Sequence, residues 1–235
     1  MTDLASAHVL VLGATGGLGA PIARRLVAAG ARVSLSARDG SKLAALADEL
    51  GDSVVTTVAV DLTLPPGPGQ AVETAHGAAP LTGVVNAAGV VAFGPAAELD
   101  DDTLDELLLL DLVAPVRLVR AAAAVLPEGG FIAQVSAVVA EKAMPGMAAY
   151  SAAKAGLTAF DAAAATELRR RKVRVLDVRP PHTETGLATR PVAGEAPRLP
   201  RGLAPDAVAA RIVAAIADDE RDLPAEAFSD RPEGS

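Results

Sequence analysis

The chain has 235 residues, 51% of them hydrophobic, enough to bury a sizeable core and too apolar for a disordered protein. Its formal net charge of -8 argues against nucleic acid or an anionic membrane as the main partner, and the lack of cysteine excludes disulfides and Cys-ligated metals. His8, His76 and His182 show no ligand spacing, no run is apolar enough for a membrane span, and Met1-Thr2-Asp3-Leu4 has no basic secretory region, so a cytoplasmic protein without a metal is expected.

Short β-branched runs alternate with Ala- and Leu-rich helical stretches. A strand is expected over His8–Leu12 and a helix over Gly17–Ala29, ending at Gly30. Val33–Ser36 is a strand, Ser41–Leu50 a helix, and Val54–Val60 a strand. Leu64–Gly69 is a Pro/Gly loop before a short helix near Gln70–His76. Gly83–Val85 is the fourth strand. A long helix follows over Asp100–Val125, bent at Pro115, which cannot donate to the helical ladder. Phe131–Val135 is a strand, Met147–Arg170 a helix, Val173–Val178 a strand, Pro205–Ala217 a helix and Leu223–Phe228 a last short strand. Such alternation predicts a doubly wound α/β fold, with about seven parallel strands covered on both faces. Ligands then bind at the carboxyl ends of the strands. No linker divides the chain, so residues 1–235 are expected to form one domain, with an irregular segment over 186–203 of a length that is usually functional or mobile.

Two constellations carry chemistry. The first strand runs into Gly13-Ala14-Thr15-Gly16-Gly17-Leu18-Gly19 and then a helix. Glycines there let the backbone approach a pyrophosphate, and the helix N-terminus offers free N–H groups and partial positive charge. The second is Tyr150 with Lys154 four residues later, on one face of a helix. A cation beside a phenol favours phenolate and suits it to proton transfer. The same pair on an outer helix face would be a solvated Tyr and Lys.

The glycine spacing is G-x-x-x-G-x-G, and with it the chain resembles the short-chain dehydrogenase/reductases. Asp61-Leu62 after the third strand, Asn86-Ala87-Ala88-Gly89 after the fourth, Tyr150-x-x-x-Lys154, and Pro180 with Thr185 match that family's segments in order, from His8 to about Ala217. The resemblance implies a Rossmann fold and reversible hydride transfer between a nicotinamide cofactor and a carbonyl or secondary alcohol. It assigns cofactor contacts to Gly13, Thr15, Gly16, Gly17, Leu18 and Gly19, to Asp61 and Leu62, to Asn86, Ala87, Ala88 and Gly89, and to Pro180, Thr183 and Thr185. Tyr150 is the implied acid/base, and Lys154 the ribose ligand that lowers its pKa. The helices Asp100–Val125 and Met147–Arg170 match those that pair between subunits in the family, implying a homodimer or homotetramer.

Cofactor choice is expected from Val33-Ser34-Leu35-Ser36-Ala37-Arg38. The acidic position that holds a ribose 2′-OH is Ala37, and Arg38 follows it with a donor fork suited to phosphate. Ser36 could add a hydroxyl, and Asp39 could oppose the phosphate. NADP(H) is therefore expected over NAD(H).

Two helpers implied by the resemblance are replaced. The serine that hydrogen-bonds the substrate oxygen falls at Ala137, with Ser136 one residue earlier, where strand alternation could turn it away. Ser136 is the expected substitute if the strand ends there, with Thr183 or His182 as further options. The asparagine of the proton relay falls at Asp111, whose charge could pair with Lys154. Pro181 stands at the glycine of the P-G turn, and Leu12 where many relatives carry Thr. These changes leave two expectations: an NADP(H)-dependent oxidoreductase with catalytic Tyr150, Lys154, Ser136 and Asp111, or an NADP(H)-binding regulator or partner subunit with impaired catalysis. The 186–203 segment, which the resemblance places over the nicotinamide as a lid, carries Arg190, Arg198 and Arg201 against Glu195. It reads first as a solvated, mobile loop and alternatively as a site for an anionic substrate group, and Phe93, Met144 and Met147 could line the pocket or equally belong to the core.

Overall fold

A computed structural model describes residues 1–228. Seven parallel strands form one sheet in the order β3-β2-β1-β4-β5-β6-β7. They are β1 His8–Leu12, β2 Arg32–Ala37, β3 Val54–Ala59, β4 Gly83–Asn86, β5 Phe131–Val135, β6 Arg174–Val178 and β7 Asp222–Leu223. The helices are α1 Gly19–Ala28, α2 Gly40–Leu50, α3 Gly67–Ala78, α4 Asp101–Leu108, α5 Ala114–Val125, α6 Ala148–Leu168 and α7 Pro205–Ala217.

Strand alternation divides the core. Val9, Val11, Phe131 and Leu176 face a layer with Ile22, Leu43 and Ile212 from α1, α2 and α7. Leu10, Leu12, Ile132 and Val175 face the other, with Val72, Leu118 and Ala164 from α3, α5 and α6. Each fully buried Leu or Ile contributes roughly 1.5–3 kcal/mol relative to exposure. With both faces covered, the open edge of function is the carboxyl end of the strands.

The chain moves outward from β1 to β3, then returns so that β4 pairs with β1. Leu12 is in register with Ser36 on one side and Asn86 on the other. The turns after β1 and β4 therefore leave the sheet side by side and enclose the switch-point crevice. Gly13 has φ +69°, and a Cβ there would lie 2.6 Å from the Ala88 nitrogen. Only glycine allows the two turns to touch.

Three expectations change. The Leu64–Gly69 loop ends early, because α3 begins at Gly67 with Pro68 in its first turn, where a missing N–H costs nothing. The last strand is only Asp222–Leu223. Pro224 follows, and Ala225–Phe228 is a 3₁₀ turn. The long helix is interrupted by a turn of π-helix, Leu109–Val113, between α4 and α5. Pro115 cannot donate to the Asp111 carbonyl, so the helical ladder widens there. This turn carries Asp111, which is completely buried. Among the described residues, no helix is long and apolar enough to cross a membrane.

Candidate active site

A cleft of about 470 Å³ runs across the carboxyl ends of β1, β2, β4, β5 and β6. Its walls bring together Gly13, Thr15, Gly16, Gly17, Leu18, Arg38, Asp61, Leu62, Ala87, Ala88, Gly89, Ser136, Ala137, Tyr150, Lys154, Pro180, Thr183 and Thr185. Of the residues expected at the site, Gly19, Asn86 and Asp111 lie behind these walls.

The glycine turn forms the middle of the cleft. A Cβ at Gly17 would lie 2.2 Å from the Thr185 carbonyl oxygen, so any side chain would push the loop after β6 away. The opposite wall is fixed from beneath. Asn86 Nδ2 donates to Gln134 Oε1 (2.9 Å), and Asn86 Oδ1 accepts from Ala88 N–H (3.2 Å). Gln134 in turn donates to the Pro115 carbonyl (3.3 Å), tying this turn to the helix beside Asp111.

At one end lie Ala37, Arg38, Lys42, Asp61 and Thr63. Asp39 caps α2, accepting from Ser41 N–H (3.0 Å) and Lys42 N–H (3.1 Å). Its carboxylate is thus committed to the helix start. Asp61 accepts from the Thr63 hydroxyl (2.7 Å) and N–H (2.9 Å), which hold it below the usual carboxylate range. Lys42 was missed from sequence, although its place in the first turn after Arg38-Asp39 is a usable signal. Ser36 does not serve as a donor here. Its hydroxyl is fully buried and outside the cleft.

At the other end, α6 presents Tyr150 and Lys154 from one face. Lys154 Nζ lies 5.9 Å from the Tyr150 ring centre. It donates to the Val135 carbonyl (3.1 Å) and pairs with Asp111 Oδ1 (3.1 Å). Asp111 Oδ1 also accepts from Val90 N–H (3.3 Å), while buried Oδ2 has no partner among the described residues. Burial pushes the Asp111 carboxyl up, and Lys154 pulls it back. Burial also raises the Tyr150 phenol well above its ordinary range, and the Asp111 charge adds to this. The lowering of the phenol pKa expected from its lysine is therefore outweighed, first by burial and then by the Asp111 charge. Three turns beyond Tyr150 on α6, buried Asp161 has neither oxygen partnered among the described residues, and burial followed by the charge of Asp177 raises it to about 8.

Ser136 is turned to α6. Its hydroxyl donates to the Lys154 carbonyl (3.1 Å) and accepts from Thr158 (3.3 Å). Thr183 donates to the Pro181 carbonyl (2.9 Å), so its hydroxyl is also occupied. His182 lines the cleft, with Nε2 3.7 Å from Glu184. The space beside Ala137 is bordered by Phe93, Val138, Val139, Met144, Met147 and Leu187. The 186–203 segment is fastened there by Val192 N–H to the Val91 carbonyl and Phe93 N–H to the Ala193 carbonyl, each 2.9 Å.

Asp111 sets a measurable property of this site. Replacing it with Asn removes the anion that opposes the Lys154 charge, and this single change favours phenolate. Tyr150 is the only tyrosine and there is no tryptophan, so phenolate absorbance reports this residue alone. Asp111→Asn is expected to move that titration to lower pH. Coincident curves would contradict the assigned electrostatics.

The short chain dehydrogenase family model matches residues 7–195. A cyclic-di-GMP-binding biofilm dispersal mediator protein of Escherichia coli is 35% identical over 181 residues, covering 75% of this chain and 73% of the relative. Carbonyl reductase [NADPH] 2 of Sus scrofa is 31% identical over 74% of this chain and 70% of its own. A short-chain dehydrogenase from Burkholderia cenocepacia, solved in complex with NADP, superposes with a TM-score of 0.85 at 26% identity, covering 96% and 98% of the two chains.

Proposed function

The chain belongs to the short-chain dehydrogenase/reductase family, and on that premise we propose that it is an NADP(H)-dependent oxidoreductase that interconverts a carbonyl and a secondary alcohol. The observation that carries this reading is the cleft itself. It joins the bare glycine turn to the Tyr150–Lys154 face of α6 in one continuous space.

The walls fit the cofactor. Gly13 and Gly17 leave the backbone bare where a Cβ would collide, and α1 begins at Gly19, so the partial positive charge of its N-terminus lies beside them. The end beside β2 lacks the acid that would hold a 2′-OH and offers Arg38 and Lys42 instead. Both nearby carboxylates are engaged in local hydrogen bonds, so they oppose a phosphate less than free ones would. Relatives solved with NADP or NADPH support the same choice. Titration of the Tyr150 fluorescence with each cofactor tests it. NADPH is expected to bind at least about 10-fold tighter than NADH, because a charged hydrogen-bonded contact contributes ~1.5–3 kcal/mol. Arg38→Ala should remove most of that difference with little change for NADH. Equal affinities in the wild type would refute the preference.

When bound, the cofactor supplies or accepts the hydride. Tyr150 holds the proton that the carbonyl oxygen receives during reduction. Its raised pKa keeps the phenol protonated across neutral and mildly alkaline pH, which favours the acid role and hinders the base role needed for alcohol oxidation. An ammonium has three donors, and Val135 and Asp111 take two. The third is left for the ribose hydroxyls. Ser136 acts through α6 as a positioning residue. The apolar wall of Val138, Val139, Met144 and Leu187 suits a substrate with a hydrophobic body. The outer face of α6 carries Ala148, Ala152, Ala155, Ala159 and Ala162, which allows a second copy's helix to approach closely in a homo-oligomer.

Ala137 and Asp111 also favour a second reading, an NADP(H)-binding regulator with weak turnover. The 35% identical relative with a biofilm-dispersal role agrees with it. A panel of aliphatic and aromatic carbonyls with NADPH separates the two. Reduction of any of them supports the enzyme, and tight NADPH binding without turnover supports the regulator.

A further inference from the structure

The cleft has an uneven distribution of cations. Among the described residues its lining holds Arg38 and Lys42 at one end, Lys154 at the other, and Arg190 between them on the lid. Lys154 is committed to Asp111, and Lys42 lies 3.6 Å from Asp39. A pyrophosphate in the glycine cradle would bring two negative charges to a place where the main chain offers only N–H dipoles and the partial charge of α1.

Arg190 is positioned to meet those charges. Thr185 touches Gly17, and Gly186 is the next residue along the chain. Arg190 folds back on Gly186. Its Nε donates to the Gly186 carbonyl (3.1 Å), and Nη2 lies 3.7 Å from where a Cβ of Gly186 would be. The guanidinium thus sits about one residue from the glycine turn. Among the described residues no carboxylate pairs with it, and its one side-chain hydrogen bond is that of Nε, which leaves the four Nη hydrogens for a ligand. The lid is held by its bridges to Val91 and Phe93, so little chain entropy remains to be lost when the arginine engages a ligand.

We propose that Arg190 is a pyrophosphate clamp, engaging the cofactor's diphosphate beside the glycine turn. The assignment rests on the NADP(H) reading of this cleft. It removes Arg190 from the candidates for an anionic substrate group, since the guanidinium lies beside Gly186 and Thr185 and the substrate end is bordered by apolar side chains.

Calorimetry with two cofactor fragments tests the clamp without requiring catalysis. 2′-Phospho-ADP-ribose contains the diphosphate, and 2′-AMP does not. Arg190→Met keeps the aliphatic stem and removes the charge. It is expected to weaken 2′-phospho-ADP-ribose by about 10–100-fold, the range of one or two charged hydrogen bonds, and to leave 2′-AMP unchanged. Arg190→Lys should recover part of the loss. Unchanged affinity for both fragments would overturn the clamp alone, with the NADP(H) reading intact. Equal weakening of both would overturn it in favour of a structural role. Unchanged fragment affinity with a raised KM for the carbonyl would transfer Arg190 to the substrate. Failure of the wild type to bind either fragment would overturn both the clamp and the cofactor reading.

Discussion

Replacing Tyr150 with phenylalanine is expected to lower NADPH-dependent carbonyl reduction by about 10²–10⁴-fold, the usual contribution of a positioned general acid. The substitution is clean for a physical reason. The Tyr150 ring is 7% exposed and packs in a cluster with Val91, Phe93, Leu107, Val139 and Met147. Among the described residues its hydroxyl makes no hydrogen bond, so phenylalanine keeps the packing and strands no donor. Folding stability should therefore change little, and NADPH affinity measured by calorimetry should stay within about threefold. A structural role would predict the opposite pattern, with altered melting and unchanged specific activity. Turnover that survives within a few-fold would assign the proton to another group, with His182 the next candidate in the cleft.

Much of the fold was legible because its elements obey local rules. β1, β5 and α7 have the bounds that hydrophobic runs and their breakers imply. Errors arose where a local rule met a second condition. Pro66 and Pro68 suggested a loop, yet proline suits a first helical turn, so α3 starts at Gly67. Leu223–Phe228 has strand composition, but the edge position and Pro224 leave only two paired residues. The site was legible in its residue types and less so in its directions. Pro115 signalled a disturbed helix, but not that a π turn would present Asp111 to Lys154. Nor could spacing show that burial outweighs the lysine in setting the Tyr150 phenol. Lys42 and Arg190 needed three-dimensional neighbours, because each enters the cleft from an element whose own pattern carries no ligand signal.

Ala137→Ser is the complementary prediction, an expected gain. Strand alternation sends neighbouring side chains to opposite sides. The Ser136 hydroxyl is turned into α6, against the Lys154 carbonyl, so the Ala137 methyl faces the cleft. Ala137 has φ -164° and ψ 159°, extended backbone that serine adopts without strain. A hydroxyl there adds a donor where the substrate oxygen gathers charge. Losing one such donor typically costs about 10²–10³ in kcat, so restoring it should raise kcat by at least ~10-fold and up to that range. NADPH affinity should not change, because the donor acts on the substrate. The gain should vanish when Ala137→Ser is combined with Tyr150→Phe, since an oriented carbonyl without its acid is not protonated. A gain that persists in the double variant would show that the serine works independently of Tyr150. No gain in the single variant would mean that the chain already holds the carbonyl by another route, and Ala137 would then be an adaptation of this pocket and not a defect in it.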